Sequence, residues 1–91
     1  MISDQKWLDF KNKQLAKIMK IRSILLEKHK NNTITINRIE YLVTLLLNKL
    51  QYLNEYNLLD YIRLIHLITK EYPEFNELMP TYEEIDNLLV V

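Results

Sequence analysis

The sequence predicts an all-α fold, a small bundle of three main helices at about residues 4–30, 37–55 and 58–72, with a short C-terminal helix at about 82–90. Three observations point there. Glycine is absent from all 91 residues, which removes tight hairpin turns, phosphate-cradling loops and glycine-closed helix ends. Apolar side chains recur at helical spacing in every long stretch. The residues that start and stop helices (Asn31, Asn32, Asn37, Asn57, Pro73, Thr81) fall between those stretches.

In the first helix Ser3 is a good N-cap, and no proline interrupts the helix formers from Asp4 to Lys30. That stretch makes about seven turns at roughly 3.6 residues each. Wound at about 100° per residue, it carries Trp7, Leu8, Leu15, Ile18, Met19, Leu25 and Leu26 on one broad face, which is the expected core face. The pair Asn31-Asn32 ends it, because asparagine is next best to glycine for a left-handed C-terminal turn.

Thr33 to Ile36 alternates threonine and isoleucine, but four residues with no strand to pair with make a poor sheet. The expectation is an extended linker leading to a second helix capped by Asn37, with Glu40 three residues on and Ile36 stapled to Tyr41. Its stripe is Ile39, Leu42, Val43, Leu46, Leu50 and Leu53. Tyr41, Leu45, Leu47 and Tyr52 occupy its other sides, so the helix is expected to be buried nearly all round.

For the third helix Asn57 is the expected cap, Tyr56 and Tyr61 a staple, and Pro73 the stop. Its stripe is Leu58, Tyr61, Ile62, Ile65, Ile68 and Tyr72, leaving Leu64 and Leu67 without cover. Glu74 to Met79 suits one further turn of helix before Pro80. Thr81-Tyr82-Glu83-Glu84 is a capping-box pattern, opening a helix with Tyr82, Ile85, Leu88 and Leu89 apolar.

Length and composition narrow the function. A chain of 91 residues is one domain, 1–91, burying only about two thirds of its unfolded surface. There is no cysteine, and two histidines without a carboxylate cluster suggest no metal site. Neither His29 nor His66 has a nucleophile or acid at a catalytic spacing. No catalytic residue, cofactor or metal is therefore assigned. The first ten residues lack a secretory apolar stretch and the longest aliphatic run is Leu45 to Leu47, so a cytoplasmic protein with no membrane span is expected. The abundance of leucine, isoleucine, lysine and asparagine is the bias of AT-rich coding DNA in some bacteria, phages and plasmids.

Charge is sorted along the chain. Residues 1–30 hold eight basic and three acidic side chains, a net of +5, whereas residues 31–91 hold four and nine, a net of −5. Six of those nine acids lie between Glu71 and Asp86. Lys6, Lys13, Lys17, Lys20 and Lys28 fall within about 80° on the helical wheel, with Phe10 and Ile24 among them. A solvated flank is the plain reading of this stripe. Its functional reading is a cationic strip for an acidic protein surface, including another copy's acidic end. Nucleic acid is the alternative partner, but overall neutrality argues against dense phosphate binding. Arg22 and Lys11 project into the apolar arc and are expected at its edge, with Asp60 or Glu40 as the partner of Arg22. Trp7 is expected in the core.

The all-helical chorismate mutases share this size, but their recurring arginine pattern in the first helix is missing, and only Arg22, Arg38 and Arg63 are available. In size and helicity the chain looks like the small helical immunity proteins of bacteriocin producers and like small phage-encoded inhibitors, a resemblance of shape and scale. The surplus leucines Leu45, Leu47, Leu64 and Leu67 suggest a homodimer or a partner-binding face. The reading is a non-enzymatic adaptor, inhibitor or immunity-type regulator that binds protein through Lys6, Phe10, Lys13, Lys17, Lys20, Lys28, Leu64 and Leu67.

Overall fold

Four α-helices and one 3-10 turn follow each other along the chain: α1 (Ile2–Lys28), α2 (Thr33–Gln51), α3 (Leu58–Glu71), the 3-10 turn (Pro73–Leu78) and α4 (Tyr82–Leu89). The computed structural model describes residues 2–90, with side chains from residue 5. No strand occurs among the described residues, and the all-α bundle stands. Helix α1 begins at Ile2, before the expected cap Ser3, whose side chain lies outside the described residues.

No described residue has positive φ, so the links are made from right-handed and extended backbone. The turn after α1 therefore closes differently from the left-handed ending expected at Asn31-Asn32. Asn32 sits at φ −124°, ψ 95° and is itself the cap of α2, its side-chain oxygen accepting from the Thr35 amide at 3.0 Å. This corrects both the linker and the Asn37 cap. Thr33 to Ile36 is the first turn of α2, because the link from α1 is only the short turn of residues 29–32 and ends on Asn32 as the cap. Asn57 stands at the start of α3 but makes no side-chain cap bond. Its amide instead accepts from the Asn54 N–H at 2.8 Å and donates to the Tyr52 carbonyl at 2.9 Å, organising the loop before the helix. The expected staple is absent, because Tyr56 is 88% exposed while Tyr61 is fully buried. Thr81 and Glu84 form the reciprocal capping box that opens α4.

The helices run antiparallel where they are neighbours. Helix α2 returns along α1, with Arg22 against Glu40 and Lys11 against the Gln51 carbonyl. Helix α3 returns along α2, with Arg38 against Glu71. The 3-10 turn and α4 then run back along the other flank of α1, so α1 is gripped from two sides. The whole measures 47 × 21 × 19 Å. Its long axis suits a 27-residue α1 of about 40 Å.

One core joins all the elements, from Phe10, Ile18, Ile21 and Leu25 of α1 to Phe75, Leu78 and Leu88. The α2 stripe is buried as expected from Ile39 to Leu50, but the helix stops at Gln51, short of the expected 55, and the buried Leu53 lies just beyond its end. Burial all round α2 is not found: Tyr41 and Tyr52 are exposed, while Leu45 and Leu47 are half-buried. The core face of α1 is turned by roughly 80°, counting 100° per residue. Phe10, Gln14, Ile18, Ile21 and Leu25 are buried, whereas Leu8, Leu15 and Met19 are exposed. The cause is the second neighbour. The apolar arc of α1 is wider than the core, and packing of the C-terminal segment on the lysine flank draws the helix round toward that side.

Candidate protein-binding surfaces

Lysines on α1 project every three or four residues toward the C-terminal segment, and the structure shows what several of them hold. Lys28 pairs with Glu74 at 3.2 Å, and Lys17 donates to the Glu77 carbonyl at 3.3 Å. Lys6 donates to the carbonyls of Asn87 and Val90 at 2.8 and 2.6 Å, where a cation suits the C-terminal end of α4. These bonds are made within one chain. Lys13 and Lys20 are exposed and make no ion pair among the described residues. Phe10, grouped by sequence with the binding lysines, is 5% exposed and belongs to the core, because the turn of α1 carries it under the C-terminal segment. Ile24 remains exposed on the same flank.

Below the lysines lies a contact the sequence reading missed. Gln14, buried on α1, accepts from the Tyr61 hydroxyl at 2.7 Å and donates to the Leu78 carbonyl at 3.2 Å. One amide thus joins α1, α3 and the end of the 3-10 turn. Burial pushes the Tyr61 phenol well above its ordinary value. Glutamine reads as polar surface in sequence, and only its place in line with Phe10, Ile18 and Ile21 marks it as inward.

Two forked ion pairs set the register of the helices. Arg22 donates to both oxygens of Glu40 at 2.6 and 2.9 Å, at the bundle edge and with one of the two expected partners. Arg38 donates to both oxygens of Glu71 at 2.8 and 2.9 Å and lies 5.7 Å from the Tyr41 ring centre. The hydrogen bonds from the arginines hold both carboxylates below their usual range. His29, at the end of α1, meets Tyr72 edge-on with ring centres 6.1 Å apart. Trp7 is half-buried against the core.

Three of the four leucines left over in the sequence, Leu45, Leu64 and Leu67, gather beside α3. Leu67 is 61% exposed and forms a ridge between two grooves. One, of about 460 Å³, is walled by Ile62, His66 and Met79. The other, of about 270 Å³, lies between α2 and α3 and is walled by Tyr41, Leu45 and Leu64, with the Arg38–Glu71 pair at its rim. Leu64 is half-buried there. Leu47 lies elsewhere, lining a groove between α1 and α2 with the exposed Leu8 and Leu15. Met79 joins the Leu67 face through the fold of the 3-10 turn, for which the sequence carries no local signal. His66, by contrast, was readable, because it precedes Leu67 on the outward side of α3.

No three histidine, aspartate or glutamate side chains gather as metal ligands among the described residues. No helix described is long and apolar enough to cross a membrane. No protein-family model, curated protein or solved structure matches the chain.

Proposed function

We propose that this is a non-enzymatic cytoplasmic protein that acts by binding another protein, as an adaptor, inhibitor or immunity-type regulator. The observation that carries the reading is Leu67, an exposed leucine standing between two apolar-walled grooves with charged groups at their rims. An apolar centre with a polar rim is the anatomy of a protein interface. A partner helix or loop would straddle Leu67 and place side chains in both grooves. The charges of Lys13 and Lys20, unpaired among the described residues, favour an acidic protein surface, by steering its approach. The surplus leucines also support a homodimer, in which a second copy covers this face when no other protein does.

Nucleic acid is supported less well, since Lys6, Lys17 and Lys28 are engaged by the chain's own C-terminal segment. A partner recovered from the native host and then purified provides the test. Leu67→Glu should weaken its binding at least about tenfold, as loss of an interface anchor does. Undiminished affinity in that variant and in Leu64→Ala would overturn the reading, and so would retention on DNA that falls steeply with salt. The homodimer has a separate test. Light scattering at micromolar concentration should give twice the chain mass of 11.1 kDa, and a monomeric mass would remove it.

A further inference from the structure

Helix α1 carries a second apolar face, turned away from its lysine row. Leu8, Leu15 and Met19 are exposed there, with Leu8 about 160° round the helix from Lys6. Their spacing is regular. Leu8, Asn12, Leu15, Met19, Arg22 and Leu26 follow one another at steps of four, three, four, three and four residues, the alternation of the a and d positions of a heptad. Packing on the bundle does not account for this seam, because the core arc of α1 runs elsewhere, from Phe10 through Ile18 to Leu25. Beside the seam a groove of about 240 Å³ between α1 and α2 is walled by Leu8, Leu15 and Leu47, with Lys11 and Gln51 at its rim. The chain exposes 6340 Å² in all, roughly 700 Å² more than the about 5,700 Å² usual for a compact monomer of 11.1 kDa. That surplus is close to the area of about 800 Å² that each partner contributes to a stable interface.

We propose that this seam is the interface with a second copy of the chain, the two α1 helices running parallel and in register. The proposal rests on the homodimer reading and seats the second copy on α1 and α2, leaving the Leu67 face to another protein. The seam is complementary to itself. In register, leucine meets leucine at positions 8, 15 and 26, and Met19 meets Met19. Asn12 meets Asn12, where each amide can both donate and accept. A single asparagine at an a position is a device that fixes register and strand number. Arg22 is the one charged layer, and both oxygens of Glu40 hold it in its own chain, so the layer brings together two ion pairs and not two bare cations. Antiparallel pairing about the middle of the seam would instead set each Asn12 against an Arg22 already engaged. A foreign helix would find no other charge on the seam to recognise, whereas a second copy matches every layer.

Single cysteines in this cysteine-free chain test both the face and its direction. Under mild oxidation Leu8→Cys should form an interchain disulfide, because in register the two positions come within the roughly 7 Å that a disulfide spans, whereas antiparallel pairing leaves them about 27 Å apart. Lys20→Cys, on the lysine flank, should stay uncrosslinked. In light scattering at micromolar concentration the wild type and Leu67→Glu should both be dimers. Leu15→Glu should raise the dimer dissociation constant at least about tenfold, as loss of an interface anchor does, and keep the helical circular dichroism of the wild type, since Leu15 lies outside the core. Asn12→Leu should lower that constant at least about tenfold, because a polar layer costs stability. A monomeric wild type would overturn the homodimer reading and this seat together. A dimer broken by Leu67→Glu and not by Leu15→Glu, one that Leu8→Cys fails to crosslink, or one that Asn12→Leu does not tighten would overturn this seat alone.

Discussion

Gln14 shows how one residue can decide the interior. Its amide satisfies the Tyr61 hydroxyl and the Leu78 carbonyl at once, and a buried polar group left without a partner costs about 1–3 kcal/mol. Gln14→Leu should therefore lower stability by about that amount in urea unfolding, and Tyr61→Phe should recover part of the loss when the two are combined. Thr69 presents the reverse case. Its buried hydroxyl has no hydrogen-bond partner among the described residues, so Thr69→Val should be neutral or stabilising by up to about 1 kcal/mol. The forked ion pairs give a pH dependence with a definite sign. Glu40 and Glu71 bind a proton less readily folded than unfolded, so the stability they confer is complete above the ordinary glutamate value of about 4.3 and is lost as pH falls through their depressed values. Melting between pH 7 and pH 3 should fall further in the wild type than in a Glu40→Gln, Glu71→Gln double variant. Glu40 was readable as a partner of Arg22, because an arginine in an apolar arc needs a carboxylate at its edge. Gln14 was not, because nothing local separates an inward glutamine from a solvated one.

At the scale of elements, local chemistry located the helices better than it located their faces. The capping box of α4 and the stop at Pro73 are set by neighbouring residues and were legible. The start of α2 was not, because two asparagines five residues apart both suit a cap and the choice depends on how α1 ends. Substitution distinguishes them. Asn32→Ala should cost about 1 kcal/mol, the usual loss of a capping side chain, while Asn37→Ala, exposed within the second turn, should cost little. Denaturant midpoints measure both. The turn of α1 was hidden for another reason. Its apolar arc reaches from Phe10 round to Met19, and a helix with more apolar surface than core can settle in several orientations. The C-terminal segment decides among them, and that contact joins residues sixty or more positions apart. The same turn leaves Leu8 and Leu15 exposed beside Leu47.

For the whole molecule, the basic front and the acidic back meet within one chain, where Glu74 is the one C-terminal carboxylate paired with the α1 lysines among the described residues. The lysine row of α1 holds the acidic C-terminal segment, Lys28 by a carboxylate and Lys17 and Lys6 by backbone carbonyls. The lysine row thus works first as an internal fastening, and in the proposed reading outward recognition falls to the leucine ridge on α3. Absence of cysteine makes the direct test clean, since a single Asp86→Cys accepts one nitroxide on the exposed side of α4. In a uniformly labelled sample, paramagnetic broadening should fall on the amides of residues 6–13 and should not change with protein concentration. In a mixture of spin-labelled unenriched chains with unlabelled nitrogen-15 chains, those amides should stay sharp. Broadening that crosses between chains, or its absence within one chain, would contradict the intramolecular closure.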